Sequence, residues 1–251
     1  MKSILFIAAT AALLFTSCKK EKITGDPGTL TGNMIIELDP KWNTEAFVPG
    51  KTYINQFGED FTPSLFKYYV SNIVLTAKDG STWSQPNSYH IIDHKNGANE
   101  LVLKNIFAGD YTSVSFTIGV DSVRNVSGAQ EGALDPANQM FWSWNTGYIF
   151  FKLEGKSSAS ADSTVSYHTG GFTGANNALR TVTLSLETAG IATEINPDET
   201  PEVHVFVDAA KVFYGASDIK ISEMSSNHMP GAKAAKLADN YRGMFKVDHV
   251  H

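Results

Sequence analysis

The sequence contains seven histidines, and one spacing among them is typical of a metal chelator. His249 and His251 form an H-x-H pair near the end of the sequence. Alternate residues of a β-strand point to the same face, so a strand here would present two imidazoles side by side. Imidazole nitrogen binds copper and zinc readily. The pair therefore indicates either a metal site or a solvated, tag-like tail.

Two further histidines lie in segments that read as strands. His168 follows Ser166 on the polar face of the segment VSYHTGG, and the two glycines after it permit close approach of another group. His204 lies in the alternating segment EVHVFVD, in which the valines face the other way. We interpret His204 as a half-exposed sheet residue, and we keep His168 as a candidate ligand.

A pair of tryptophans offers a different chemistry. Trp142 and Trp144 flank Ser143, so in an extended backbone both indoles point to the same side. Two adjacent indoles can form a platform for a glycan or another ring-shaped ligand. Being electron-rich, they can instead be oxidised or relay electrons, or they can simply fill the core. The residues alone leave these three alternatives open.

Several common activities have no support in the sequence. It contains no G-x-S-x-G elbow, no Walker loop, no G-x-G-x-x-G after a strand and no H-E-x-x-H. With 20 Lys and Arg against 26 Asp and Glu, the net charge is -6, which disfavours sequence-independent nucleic-acid binding. The single Cys excludes a disulfide within the chain and thiolate-rich metal sites. We predict a protein that is not an enzyme and does not bind nucleic acid.

The N-terminal segment is typical of a bacterial lipoprotein. An apolar run from Ile4 to Phe15 is too short to span a bilayer, and Thr16 and Ser17 precede the lone Cys18. This pattern predicts a signal peptide over residues 1–17, lipidation of Cys18, and a flexible tether over 18–30. Acyl chains would then anchor the protein in the cell envelope, on the periplasmic face or at the outer-membrane surface. An ordinary signal peptide is the alternative.

The rest of the chain has the pattern of an all-β protein. Short alternating or β-branched runs recur between turn residues, and the Asp79-Gly80 pair predicts a hairpin after Phe66–Ala77. Only Ala232–Asn240 suggests a short helix. We predict an antiparallel β-sandwich of about ten strands with long loops, forming one domain over residues 31–251.

A set of motifs spread over this domain resembles a known family. In order along the chain they are FKYYVSN (66–72), GVD (119–121), LDP (134–136), MFWSW (140–144), GY (147–148) and YH (167–168). The set resembles the MbnP-like family of extracytoplasmic copper-binding proteins, which are often encoded with a MauG-like di-haem enzyme. The resemblance implies a β-sandwich that binds copper through histidine.

The resemblance also implies roles for particular residues. Trp142 and Trp144 become candidates for oxidation to kynurenine by the di-haem partner, and His168 becomes the best single copper ligand. The first strand lacks a histidine that we expect in many relatives, so Glu37 or Asp39 would supply oxygen there. We expect His168 and the indoles to share one pocket at the rim of the sandwich.

Overall fold

The computed structural model describes residues 30–128, 130–142 and 147–251. The predicted signal peptide, Cys18 and nearly all of the tether lie outside the described residues, as do Ser143 and Trp144. The first strand begins at Thr31.

Strands dominate the described part of the chain, which confirms the all-β prediction. There are fifteen, more than predicted, because several short strands flank the long ones: Thr31–Trp42 (β1), Glu45–Ala46 (β2), Tyr53–Ile54 (β3), Asp60–Ala77 (β4), Thr82–Ser84 (β5), Tyr89–Asp93 (β6), Glu100–Phe107 (β7), Gly109–Ile118 (β8), Ile149–Lys156 (β9), Thr164–Gly170 (β10), Arg180–Ser185 (β11), Thr193–Ile195 (β12), Glu202–Asp208 (β13), Ser226–Asn227 (β14) and Phe245–Val250 (β15). The α-helices are Ser122–Asn125 (α1) and Ala232–Tyr241 (α2). Short 3₁₀ helices cover Gly132–Leu134, Pro136–Asn138, Ala209–Phe213 and Arg242–Met244.

The strands form two sheets. In the five-stranded sheet the order is β15-β13-β1-β2, and β7 also pairs with β1. In the ten-stranded sheet the order is β11-β8-β4-β9-β10-β14, and β3, β5, β6 and β12 pair along its length. The sheets are mixed, because β1 pairs with β13, and β10 with β14, in parallel. The prediction of a wholly antiparallel sandwich is wrong in this respect, since these partners are joined by long crossovers rather than by hairpins.

The core lies between the two sheets. Alternate residues of β1 (Met34, Ile36 and Leu38) are fully buried on its inner face. From β15, the ring of Phe245 contacts Tyr68 and Phe116 of the ten-stranded sheet, at centroid distances of 5.8 and 5.2 Å. Because successive residues point to opposite faces, the polar residues between the buried ones lie on the outer faces of the sheets.

Local chemistry explains several element boundaries. Gly80 has a positive φ of 88° in the turn that joins β4 to β5, so the hairpin predicted at Asp79-Gly80 is confirmed. Strand β13 ends at Asp208. The Asp208 carboxylate accepts a hydrogen bond from the backbone N–H of Ala210 and caps a 3₁₀ helix there.

The helix predicted at Ala232–Asn240 is present as α2. Its buried residues include Ala234, Leu237, Ala238 and Tyr241, an i, i+3, i+4, i+7 stripe facing the core. Tyr241 stacks on Phe151 at 5.0 Å between ring centroids. Among the helices of the described residues, none is long and apolar enough to cross a bilayer.

Candidate metal centres

The outer face of the five-stranded sheet carries a row of polar side chains from four neighbouring strands. His204 of β13 is the register partner of His249 in β15 on one side and of Glu37 in β1 on the other. Glu37 in turn pairs with Glu100 of β7. Directly paired residues of adjacent strands have neighbouring side chains, so the register itself brings histidines and carboxylates together.

A β-bulge decides which way the end of β15 faces. Val247 pairs with Val205 and His249 pairs with His204, so Asp248 is an extra residue without a partner in the ladder. Without it, Val247 and His249 would point to the same face of the sheet. The bulge lets Val247 face inward while His249 faces outward, which is a common use of bulges.

The three imidazoles of this face lie close together. The ring of His204 stacks on His249 at 4.4 Å and on His251 at 5.1 Å between centroids. In the part of the chain that the structure describes, two groups of three ligating side chains have their ligand atoms within 4.8 Å of one another. One is His204, His249 and His251, and the other is Glu37, Asp39 and His204. We call the three histidines the histidine face.

Carboxylates contact the Nδ1 atoms of two of these histidines. Glu37 Oε2 lies 3.0 Å from His204 Nδ1, and Asp39 Oδ2 lies 3.7 Å from the same atom. Asp248 Oδ2 lies 2.8 Å from His249 Nδ1. An ionised carboxylate only accepts hydrogen bonds, so each neutral ring carries its proton on Nδ1 and leaves the Nε2 lone pair available.

A second cluster lies on the outer face of the ten-stranded sheet. His168 Nε2 is 2.6 Å from Glu154 Oε1 of β9 and 3.3 Å from Ser166 Oγ, and Nε2 of His228 is 2.8 Å from the same Oγ. The His168 and His228 rings stack at 4.5 Å between centroids. The Ser166 hydroxyl therefore links the two imidazoles, and the Glu154 carboxylate contacts the His168 ring. We call these four residues the His168 centre.

The electrostatics of the His168 centre follow from these contacts. The hydrogen bond from His168 lowers the pKa of Glu154, so this carboxylate is ionised at neutral pH. Partial burial, together with the nearby His168 ring, lowers the pKa of His228, which favours the neutral imidazole. Because the ionised Glu154 accepts a hydrogen bond from Nε2 of His168, a cation that binds at this nitrogen must replace its proton.

Trp142 packs against Gly170 at the end of β10, the strand that carries His168. A Cβ atom added to Gly170, two residues along β10 from His168, would lie 2.7 Å from Cη2 of the Trp142 indole. Two backbone hydrogen bonds fix the position of Trp142. Its own N–H donates to the Gly147 carbonyl at 3.2 Å, and the Ile149 N–H donates to the Met140 carbonyl at 2.9 Å. Trp142 is only 5% exposed, so its ring leaves no open face for a sugar to stack on. This burial disfavours the ring-binding hypothesis for Trp142.

The predicted metal ligands lie on two different sheets. Glu37, Asp39, His249 and His251 converge on the five-stranded sheet, whereas His168 lies on the ten-stranded sheet beside the indole of Trp142. The second predicted indole, Trp144, lies outside the described residues.

Sequence reasoning missed three participants. His204 was interpreted as a sheet residue only, although it lies at the centre of the histidine face. The alternation of EVHVFVD, which places His204 on the polar side of its strand, was the sequence signal that could have marked it as a ligand. Glu154 is the register partner of Ser166 across β9 and β10, which a predicted hairpin could have revealed. His228 follows β14 in a loop, and no sequence pattern placed it near His168.

Comparison with known proteins identifies the family. The sequence model of the MbnP family matches residues 31–230, most of the chain. The chain belongs to the MbnP family. No curated protein sequence matches this member of the family. Among solved structures, MbnP from Methylosinus trichosporium is similar, with a TM-score of 0.51, 14% sequence identity, and coverage of 75% of this chain and 80% of that one.

These comparisons bear differently on the two clusters. At 14% identity the structural match shows a shared fold. The matched range of the MbnP family includes Trp142 and every residue of the His168 centre, but it ends before β15, which carries His249, and before His251, which follows β15. The donors of both clusters are imidazole nitrogens and carboxylate oxygens, a set that suits copper(II) and zinc.

Proposed function

We propose that this MbnP family member is an extracytoplasmic copper-binding protein, and that the His168 centre holds the copper. The single observation that carries the proposal is the 2.6 Å contact of His168 with Glu154, with the His228 ring stacked on His168 at 4.5 Å, within the family-matched part of the chain. The ligand atoms of these three residues are not all within 4.8 Å of one another, so a copper ion held by all three would require His228 to move. Two imidazoles and one carboxylate form a nitrogen- and oxygen-rich ligand set with no thiolate, which suits copper(II).

The exposure of the cluster fits reversible loading. His228 is an exposed loop residue, while His168 and Glu154 are half-buried on strands. The strands therefore fix two donors, and the loop lets the third move onto the ion. A copper ion held here would take the place of the proton on Nε2 of His168 and of the Ser166 hydroxyl that now contacts Nε2 of both imidazoles.

The protein is proposed to bind and not to catalyse. Ser166 and Glu154 both contact Nε2 of His168, whereas a hydrolytic triad needs the hydroxyl and the carboxylate on different ring nitrogens. The centre therefore lacks the arrangement that would activate Ser166 as a nucleophile. This geometry supports a ligand role for His168.

Copper titration with NMR detection tests the location of the site. Copper(II) broadens the amide signals of nearby residues, so one equivalent should broaden Ser166–Gly170 in the metal-free protein. In a His168→Gln/His228→Gln variant this broadening should disappear. A His90→Gln variant should retain it, because His90 contacts Gln85 and belongs to neither cluster. Unchanged broadening in the double variant would refute the assignment.

We further propose that Trp142 or Trp144 is oxidised to kynurenine by a MauG-like di-haem partner. The high-valent haem of the partner would remove four electrons from the indole, two water molecules would supply the oxygen atoms that add as the C2–C3 bond breaks, and hydrolysis of the resulting N-formyl group would release C2 as formate. Electron transfer does not require contact with the haem, so the burial of Trp142 does not prevent its oxidation. Peptide mapping by mass spectrometry of protein from cells with and without the partner gene tests this. Identical tryptophan peptides from both strains would contradict it.

We propose a lipid anchor on Cys18 as the means of retention in the cell envelope. A Cys18→Ala variant should move from the membrane fraction to the soluble fraction, because it lacks the acyl chains that give the original protein its membrane affinity. Retention of this variant in the membrane fraction would contradict the anchor while leaving the copper proposal intact.

A further inference from the structure

We infer that the histidine face is a second metal centre, at which His204, His249 and His251 bind a divalent transition-metal ion of the Cu²⁺ or Zn²⁺ class, separately from the His168 centre. The inference does not rest on the proposed function, since the two clusters lie on different sheets and share no residue. Two of its ligands also lie beyond the family-matched range.

The backbone assembles this face from distant parts of the chain. The parallel pairing of β1 with β13 sets Glu37 beside His204, and the antiparallel pairing of β13 with β15 sets His249 on the other side. His251 lies opposite Glu202, with which it exchanges two backbone hydrogen bonds of 2.7 and 3.0 Å. The ligands therefore come from adjacent, hydrogen-bonded strands, which hold a site more firmly than loops do.

Carboxylates orient the rings of this face. Asp248 accepts a hydrogen bond from Nδ1 of His249, and Glu37 lies 3.0 Å from Nδ1 of His204, so Nε2 is the atom that each ring has available for a metal ion. Glu202 lies 3.9 Å from Nε2 of both His204 and His251 and is placed to supply a fourth, oxygen donor. Three nitrogens and one oxygen give a four-coordinate set of the kind that zinc and copper accept.

The charge of the face favours a cation. Four carboxylates (Glu37, Asp39, Glu202 and Asp248) lie within 4 Å of an imidazole nitrogen. Two lysines flank Phe206, two residues along β13 from His204: Lys41 lies over the Phe206 ring at 4.5 Å, and Lys246 is the register partner of Phe206. With neutral imidazoles the cluster carries an excess of negative charge, which attracts divalent ions.

The present ring arrangement must change before the three histidines can hold one ion. The rings of His204 and His249 are almost parallel, with 7° between their planes. The nitrogen lone pair of an imidazole lies in the plane of its ring, so two stacked rings do not direct their lone pairs at the same ion. Binding therefore requires rotation of side chains. His249 and His251 have 52% and 63% exposed side chains, so they can rotate freely, while the 17% exposed His204 remains fixed by Glu37.

Native mass spectrometry of the metal-free protein, titrated separately with Cu²⁺ and Zn²⁺, tests the inference. A His249→Gln/His251→Gln variant should bind one ion fewer than the original protein at micromolar metal, with the affinity of the lost site reduced by more than about 100-fold. His90→Gln serves as the matched histidine control. A Glu37→Ala variant should keep the ion but bind it about 10- to 100-fold more weakly, as expected of a positioning residue.

The outcomes separate this inference from the proposed function. Loss of one ion from the His249/His251 variant, with broadening of the Ser166–Gly170 amides by copper retained, supports a second centre. An unchanged ion count and affinity in that variant would overturn the inference, as would binding to the original protein only at millimolar metal. Failure of the His168 centre would appear instead as an unchanged NMR response in the His168→Gln/His228→Gln variant.

Discussion

At the scale of single residues, Gly170 links the His168 centre to Trp142. A Cβ atom at this position would lie 2.5 Å from the Tyr148 carbonyl oxygen and 2.7 Å from the Trp142 ring. Both distances are far shorter than van der Waals contact. The glycine is therefore required for the indole to pack against the strand that carries His168.

Gly170→Ala is expected to destabilise the protein by about 1–3 kcal/mol, because the added methyl group overpacks the contact with Trp142 and Tyr148. Gly243→Ala is a matched control, since a Cβ atom there meets nothing within 4 Å. Urea unfolding measures both variants, and near-UV circular dichroism reports the tryptophan environment. Equal stability of the two variants would contradict the contact.

His94 is a histidine that serves packing. It follows β6, and its ring contacts the rings of Phe66 and Tyr68 at 4.7 and 5.5 Å between centroids. Burial lowers its pKa to about 3. A neutral histidine that packs against aromatic rings in this way stabilises the fold and has no metal-binding role.

The pKa of His94 predicts a pH dependence of stability. Between about pH 3 and 6.5 the unfolded chain binds a proton at this histidine that the folded protein does not bind, so the free energy of unfolding falls as the pH is lowered through this range. Unfolding measured from pH 7 to 4 should show a steeper decline in the original protein than in His94→Gln. Parallel pH profiles would contradict the burial of a neutral ring.

At the scale of elements, α2 packs its apolar stripe into the core. Leu237→Ala should cost about 2–5 kcal/mol, because the side chain is fully buried and its loss leaves a cavity. Lys236→Ala, on the exposed side of the same helix, should change stability by less than about 0.5 kcal/mol. Thermal or urea unfolding compares them, and similar costs for both would show that the helix does not face the core as described.

Local pattern predicted much of the element content and little of the pairing. The hairpin at Asp79-Gly80, the strand Tyr89–Asp93 and the helix at α2 follow from turn residues and periodicity within a few residues. The parallel neighbours β1 and β13 are joined through most of the chain, so no local pattern encodes their register. The bulge at Asp248 likewise depends on pairing with β13, and it reverses the face that simple alternation predicts for His249.

The candidate sites show the same limit. His168 and the H-x-H pair were predicted from residue type and spacing, but their neighbours were fixed by sheet order. His204 lies between Glu37 and His249 only because β13 lies between β1 and β15. Sequence reasoning could thus name candidate ligands but could not divide them into two clusters.

At the scale of the whole molecule, the two sheets separate two ligand clusters. The outer face of the ten-stranded sheet carries the His168 centre, and the outer face of the five-stranded sheet carries the histidine face. The rigid core between them lets each cluster load without reorganising the other. The binding free energies of two ions should therefore be additive.

A crystal structure of the copper-loaded protein, with anomalous scattering measured at the copper absorption edge, tests the central claim most directly. We predict an anomalous peak within bonding distance of Nε2 of His168 and His228 and of a Glu154 oxygen, beside Trp142. Copper found only at His204, His249 and His251, or at neither cluster, would contradict the assignment of the copper site to the His168 centre.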